Sequence, residues 1–165
     1  MIEPATDGEP ELARIVALDI GDRRIGVAVS DGLGLTSQPL LTYNRTASGS
    51  GKKGDARKDA RSLLRLLRKA DCRKIVVGLP LHLSGKVSRS AGKVEAFVEL
   101  LRAETELPIE LWDERLSTTA AHELLDDAGH PVRGREEIID QVAAVLILES
   151  YMNAQRMRIT DATGR

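Results

Sequence analysis

The sequence predicts an α/β fold: a mixed five-stranded sheet in the order β-β-β-α-β-α-β-α-α, with helices on both faces. Three observations predict it. Two short β-branched runs near the start are separated by only a tight turn, which joins antiparallel neighbours. Further on, apolar strands alternate with segments whose hydrophobic residues recur every three to four positions, the pattern of right-handed parallel crossovers. A length of 165 residues with 42% hydrophobic content suffices for one core and falls short of two ordinary domains.

Arg14 to Asp19 (RIVALD) is the first short apolar run, and Arg24 to Ser30 (RIGVAVS) the second, alternating Ile25, Val27 and Val29 with smaller residues. Gly21-Asp22-Arg23 turns the chain between them. Pro39 to Asn44 completes a meander. Residues 45–54 (RTASGSGKKG) are rich in Gly, Ser and Lys and read as a mobile loop. From Asp55 to residue 70 the spacing becomes helical, with Ala60, Leu63, Leu64, Leu67 and Ala70 as the apolar stripe. Lys74 to Leu79 is a buried strand closed by Gly78 and Pro80. After a polar loop over 81–92, Val94, Phe97, Val98 and Leu101 mark a second helix, and Pro108 to Trp112 the last strand. Ser117 suits the cap of a third helix that stops at Gly129, and a final helix runs from about Arg135 to Arg156. One domain over 14–156 is expected, with residues 1–13 frayed and 157–165 a tail.

The net charge of −1 conceals strong asymmetry. Residues 45–74 hold eleven Lys and Arg against three acids, and 75–94 add three more bases, so the middle carries +11. Residues 95–127 carry ten acids and two arginines, and 1–12 four acids and no base. Such a basic middle can steer a polyanion although the whole is nearly neutral, while helix charges that simply face water give the same pattern. Only four aromatic residues are present (Trp112, Tyr43, Tyr151, Phe97), too few for the base-stacking platforms of single-strand binders. Recognition through backbone and shape fits better. Cys72 is the one cysteine and cannot form an internal disulfide. The acidic start is unlike a signal peptide, and no stretch approaches the ~18 apolar residues of a membrane span, so a cytoplasmic protein with no membrane partner is expected.

Three carboxylates stand where an acid needs explaining. Asp19 ends an apolar strand, where a buried lone carboxylate is costly without a cation or hydrogen bonds; a turn-forming Asp is the competing reading. Glu114 follows the last strand in DERLST, where a salt bridge with Arg115 or the positive end of a helix also accounts for it. Asp140 shares a helical face with Ala144, Ile147 and Tyr151, which aims it inward. It faces outward if the packed stripe is instead Ile139, Val142, Ala143 and Leu146. Strand ends that lie side by side in one sheet could bring Asp19 and Glu114 together, and a helix packed on that sheet could deliver Asp140. Clustered carboxylates need a divalent cation, and an oxygen-only donor set favours Mg²⁺ or Mn²⁺ over zinc. Two such ions clamp a phosphodiester for in-line attack by water.

Other motifs are weaker. The loop GSGKKG fails the P-loop pattern, because Lys53 stands where Ser or Thr is required. His82, His122 and His130 lack ligand spacing, and Cys72 lacks a nucleophile signature.

Four blocks, ALDIGDRRIGVAVSD (17–31), IVVGLPLHLSGK (75–86), DERLST (113–118) and IIDQVAAVLILESYM (138–152), taken together resemble the YqgF/RuvX family. This family comprises pre-16S rRNA nucleases and Holliday junction resolvase-like proteins of the ribonuclease H-like superfamily. With their spacers the blocks cover most of residues 15–156. The resemblance implies a ribonuclease H-like fold and places the catalytic, metal-holding acids at Asp19, Glu114 and Asp140. Gly21 and Gly26 would keep the first hairpin tight and let a phosphate approach. Lys86, Arg89 and Arg115 are the candidates for holding a nucleic-acid backbone. Two features depart from the family pattern: the segment GHPVRGREE before the last helix is less basic, and the Ser-Gly-rich insert at 46–54 is unusual.

The implied function is metal-dependent hydrolysis of phosphodiester bonds in structured RNA, maturing the 5′ end of 16S rRNA. Three rivals remain. A DNA junction resolvase shares the chemistry but makes paired cuts and so requires a homodimer. A non-catalytic nucleic-acid-binding domain would keep the fold without cleavage. An actin-like or sugar-kinase ATPase also carries DIG before a hairpin, but needs two such domains where this length supplies one.

Overall fold

A computed structural model of the chain describes residues 13–46, 54–81, 88–113 and 135–163. Strands β1 (Arg14–Ile20) and β2 (Arg24–Ser30) pair antiparallel, with Asp19 opposite Gly26 and Ala17 opposite Ala28. The Gly21 N–H donates to the Arg24 carbonyl at 2.8 Å and closes the turn. A Cβ on Gly21 would stand 2.9 Å from that oxygen, so the tight turn requires glycine.

Strand β3 (Ser37–Asn44) lies outside β2. Alternation alone puts its start at Pro39; the strand begins two residues earlier. Proline is tolerated because β3 is an edge strand and its register shifts beside Pro39, between the pairs Val27↔Leu41 and Ala28↔Pro39. Helix α1 (Ala56–Lys69) opens on Asp55, whose carboxylate accepts from the Lys58 N–H at 2.9 Å. Asp71, at φ 51°, then turns the chain into β4 (Cys72–Leu79), which runs parallel to β1 with Leu18 opposite Val77.

Helix α2 (Arg89–Arg102) starts earlier than the polar composition of 81–92 predicts, because Ser88 caps it. The Ser88 hydroxyl accepts from the Ala91 N–H at 3.0 Å and donates to the Pro80 carbonyl at 2.9 Å, which anchors the helix start to the end of β4. Strand β5 (Ile109–Asp113) pairs parallel with β4, completing the order β3-β2-β1-β4-β5. The parallel strands β1, β4 and β5 therefore end at one edge. Helix α3 (Arg135–Thr163) continues past Arg156, through most of the expected tail. The helix expected over 117–129 lies outside the described residues. Among the described residues no helix is long and apolar enough to cross a membrane.

Strand alternation divides the core in two. Val16, Leu18, Ile25, Val27, Ile75 and Val77 face α1 and α2, where Leu63, Leu67, Phe97 and Leu101 meet them. Each fully buried Leu or Val there contributes about 1.5–3 kcal/mol. The opposite face offers the small residues Ala17 and Ala28 with Val76, and α3 lays Ala144, Ile147, Leu148 and Tyr151 on it. Small side chains let that helix come close.

Candidate active site

The close approach is tightest at Gly26. A Cβ there would overlap the Asp140 carbonyl outright and stand 3.1 Å from the Asp140 Cα. Only glycine lets α3 sit where it does. Residues directly opposite in an antiparallel ladder share a face, so Asp19, the partner of Gly26, points to the side from which Asp140 approaches. A ladder spacing of ~5.5 Å and a Cα–Cβ bond of ~1.5 Å bring the two aspartate Cα atoms within about 10 Å of each other. Asp140 is half-buried, and Ala143, Ala144, Ile147, Leu148 and Tyr151 are buried. Of the two possible stripes on this helix, the packed one is that which carries Asp140 inward. Asp19 sits within the ladder, opposite Gly26.

Arg24, two residues before Gly26 on the same face, fixes the acid. Its Nε donates to Asp140 Oδ2 at 2.8 Å, and its Nη2 lies 2.8 Å from Glu136 Oε2. The hydrogen bond to Asp140 is the main cause that holds the Arg24 guanidinium above its usual range. Two further bonds tie the start of α3 to the sheet edge: Gln141 Nε2 donates to Thr42 Oγ1 at 3.0 Å, and Thr42 Oγ1 donates to the Glu137 carbonyl at 3.2 Å. The Asp140 carboxylate is thereby oriented before any ligand arrives. Asp19 and Asp140 offer hard oxygen donors on one sheet face, the donor type that suits a hard divalent cation; in this structure Arg24 supplies the positive charge beside Asp140. Cys72, a soft ligand, belongs to the opposite core.

Of the residues expected at the site, Asp19 and Asp140 are brought together. Gly21 forms the hairpin turn two residues beyond Asp19. Arg89 stands exposed in the first turn of α2, not in a loop, at the edge where β4 ends. Glu114, Arg115 and Lys86 lie outside the described residues. Among the described residues no three acids, histidines or cysteines form a metal-holding group.

Two features escaped sequence reasoning. Arg24 was legible as the residue two before Gly26, on the same strand face. Asp59 shares the α1 stripe with Leu63 and Leu67 at spacings of four, and is 1% exposed. Its carboxylate accepts from the Tyr43 hydroxyl (3.1 Å), the Thr46 N–H (2.9 Å) and the Thr46 hydroxyl (3.2 Å). Arg45 approaches it at 3.7 Å, lays its guanidinium over Phe97 at 4.8 Å and donates to the Gly21 carbonyl at 2.8 Å. This network locks the end of β3 to the β1–β2 turn.

The remaining rings are structural. Trp112 and Tyr151 meet edge to face at 5.2 Å, and the Tyr151 hydroxyl donates to Glu110 at 3.0 Å. Glu110 also pairs with Lys74 at 2.7 Å, which pulls its carboxyl below the usual range.

A mixed sheet with two antiparallel pairings on one side of β1 and two parallel pairings on the other, an acid near the end of β1 and a closing helix that carries a second acid over the same face describe a ribonuclease H-like fold. The solved structure of Thermus thermophilus RuvC in complex with a Holliday junction substrate has this fold, at a TM-score of 0.52 and 14% identity, covering 87% of this chain and 96% of that one. Residues 13–154 match the RuvX family, described as Holliday junction resolvase, and the chain belongs to that family. It is 44% identical over 140 residues to a protein of Clostridioides difficile (strain 630) named "Putative pre-16S rRNA nuclease", covering 85% of this chain and 94% of the relative. A protein of Syntrophus aciditrophicus (strain SB) with the same name is 42% identical over 141 residues, covering 86% and 89%.

Proposed function

We propose that this chain is a nuclease that hydrolyses phosphodiester bonds in structured RNA and processes the 5′ end of precursor 16S rRNA in the cytoplasm. Asp19, Glu114 and Asp140 are its catalytic, metal-holding acids. The observation that carries the reading is the seating of Asp140 against Gly26, directly across the ladder from Asp19.

When bound, Mg²⁺ or Mn²⁺ supplies charge neutralisation and the polarisation that activates water for attack on phosphorus. The chain does the rest. Arg24 holds one oxygen of Asp140 so that the carboxylate does not rotate. Gly21 keeps the turn low enough for a phosphate to approach the backbone. Arg89, at the edge where the parallel strands end, contacts the sugar–phosphate chain, and the family resemblance gives Lys86 and Arg115 the same role.

The experiment compares wild type, Asp19→Asn and Asp140→Asn on precursor 16S RNA and on four-way DNA junctions, with Mg²⁺, Mn²⁺ or EDTA. We expect metal-dependent cleavage of the RNA by wild type and none by either variant, with unchanged circular dichroism. Undiminished cleavage by Asp19→Asn refutes the assignment of the acids. Preference for junctions with paired symmetric cuts moves the substrate to branched DNA and calls for a homodimer.

A further inference from the structure

On the other side of the β1–β2 turn from Asp140 lies a cleft of about 830 Å³, bounded by that turn, the end of β3, the start of α1 and the flank of α2. Its lining carries four cations, Arg23, Arg24, Arg45 and Lys93, against one acid, Asp22. The surface pair of Lys93 and Asp22, at 3.0 Å, joins two exposed side chains and is weak enough for an anion to displace. Arg45 is held rigid by Asp59, the Gly21 carbonyl and the Phe97 ring, so its guanidinium is ordered in advance. Arg24 lines the same cleft and grips Asp140, so the cleft and the acid pair share one side chain. Phe97 is the one aromatic ring among the lining residues, and at 2% exposure it offers no face to a base.

We propose that this cleft seats the sugar–phosphate backbone of the nucleic-acid strand that leads to the carboxylates, with Arg23 and Lys93 as phosphate contacts and Arg45 as a preset one. The cleft rests on the nuclease reading for its substrate, yet its binding is measurable without cleavage. Cations on an open rim with a closed ring beneath suit phosphates and not bases. The position, three to five residues past Asp19, leads a bound strand toward the proposed reaction centre.

The test measures binding of a short fluorescein-labelled strand from precursor 16S RNA by anisotropy in EDTA, over a series of salt concentrations. The double variant Arg23→Glu/Lys93→Glu is compared with Arg65→Glu/Arg68→Glu, an equal charge change on the exposed face of α1. Thermal unfolding checks that each is folded. We expect the cleft variant to bind about tenfold or more weakly and to lose about 1.4 from its salt slope, two contacts at ~0.7 each, with the α1 variant much less affected. Asp22→Asn, which frees Lys93, is expected to tighten binding. Equal losses from both double variants, or none from the cleft variant, overturn the proposal. The nuclease reading is judged apart from it: cleavage lost in Asp19→Asn supports that reading whether or not the cleft binds, and a binding cleft without Mg²⁺-dependent cleavage refutes that reading alone.

Discussion

Gly26→Ala is the substitution through which the fold and the proposed chemistry can be tested together. The added methyl overlaps the Asp140 carbonyl and stands 3.1 Å from its Cα, where ordinary contact begins at 3.4 Å. The new Cβ is fixed by the strand backbone and meets helix backbone, so no rotamer change relieves the collision; α3 must move. Overpacking of a well-packed core costs about 1–3 kcal/mol, and a backbone collision belongs at the upper end. At ~2–4 °C per kcal/mol for a chain of this size, a loss of about 3 kcal/mol lowers Tm by about 6–12 °C. Relief by a shift on the order of 1 Å also moves Asp140 away from Asp19, a misplacement that costs ~10²-fold in rate. Thermal unfolding and Mg²⁺-dependent cleavage of precursor RNA, measured below the transition of the variant, check both numbers. A variant with wild-type Tm and wild-type cleavage would refute the claim that glycine is there to admit Asp140.

Asp59→Ala leaves the Tyr43 hydroxyl and the Thr46 N–H without their buried acceptor, and is expected to destabilise by about 3 kcal/mol in urea unfolding; a loss under ~1 kcal/mol would count against the network. Glu110 is held below its ordinary value near 4.5 by its hydrogen bond from Lys74. Its contribution is therefore present above that ordinary value and is lost as pH falls through the lowered folded one. Glu110→Gln should flatten the decline of stability as pH falls below that ordinary value, and an unchanged acid limb would contradict the pairing. Burial pushes the Cys72 thiol up, so alkylation of native protein at mildly alkaline pH should be far slower than of protein unfolded in urea; equal rates would show the strand open.

Much of the fold was legible because alternation and helical spacing report which side of an element is covered. β2 was read at both ends, since Ile25, Val27 and Val29 alternate without interruption. The start of α2 was not, because Ser88, Arg89 and Ser90 are polar and the capping bonds to Pro80 and Ala91 leave no apolar trace. For the site, Asp140 could be read as inward or outward from the pattern alone. Packing chose inward, since Ala17, Ala28 and Gly26 make the sheet face flat enough to receive that side of α3. Arg45 was beyond sequence reasoning: its partners Gly21, Asp59 and Phe97 come from three separate elements, and no local spacing joins them.

The bond from Arg24 to Asp140 spans 116 positions of sequence. Chains emerge from the ribosome N-terminus first, and contacts this distant form late. β1 and β2 can pair as soon as they emerge, with Asp19 already in its ladder, but the second acid arrives only when α3 has been made and has docked. Until then the face of Ala17, Ala28 and Val76 lacks its cover, and the acid pair is incomplete. The order of synthesis thus delays assembly of the proposed catalytic centre until nearly all of the matched family region has been translated.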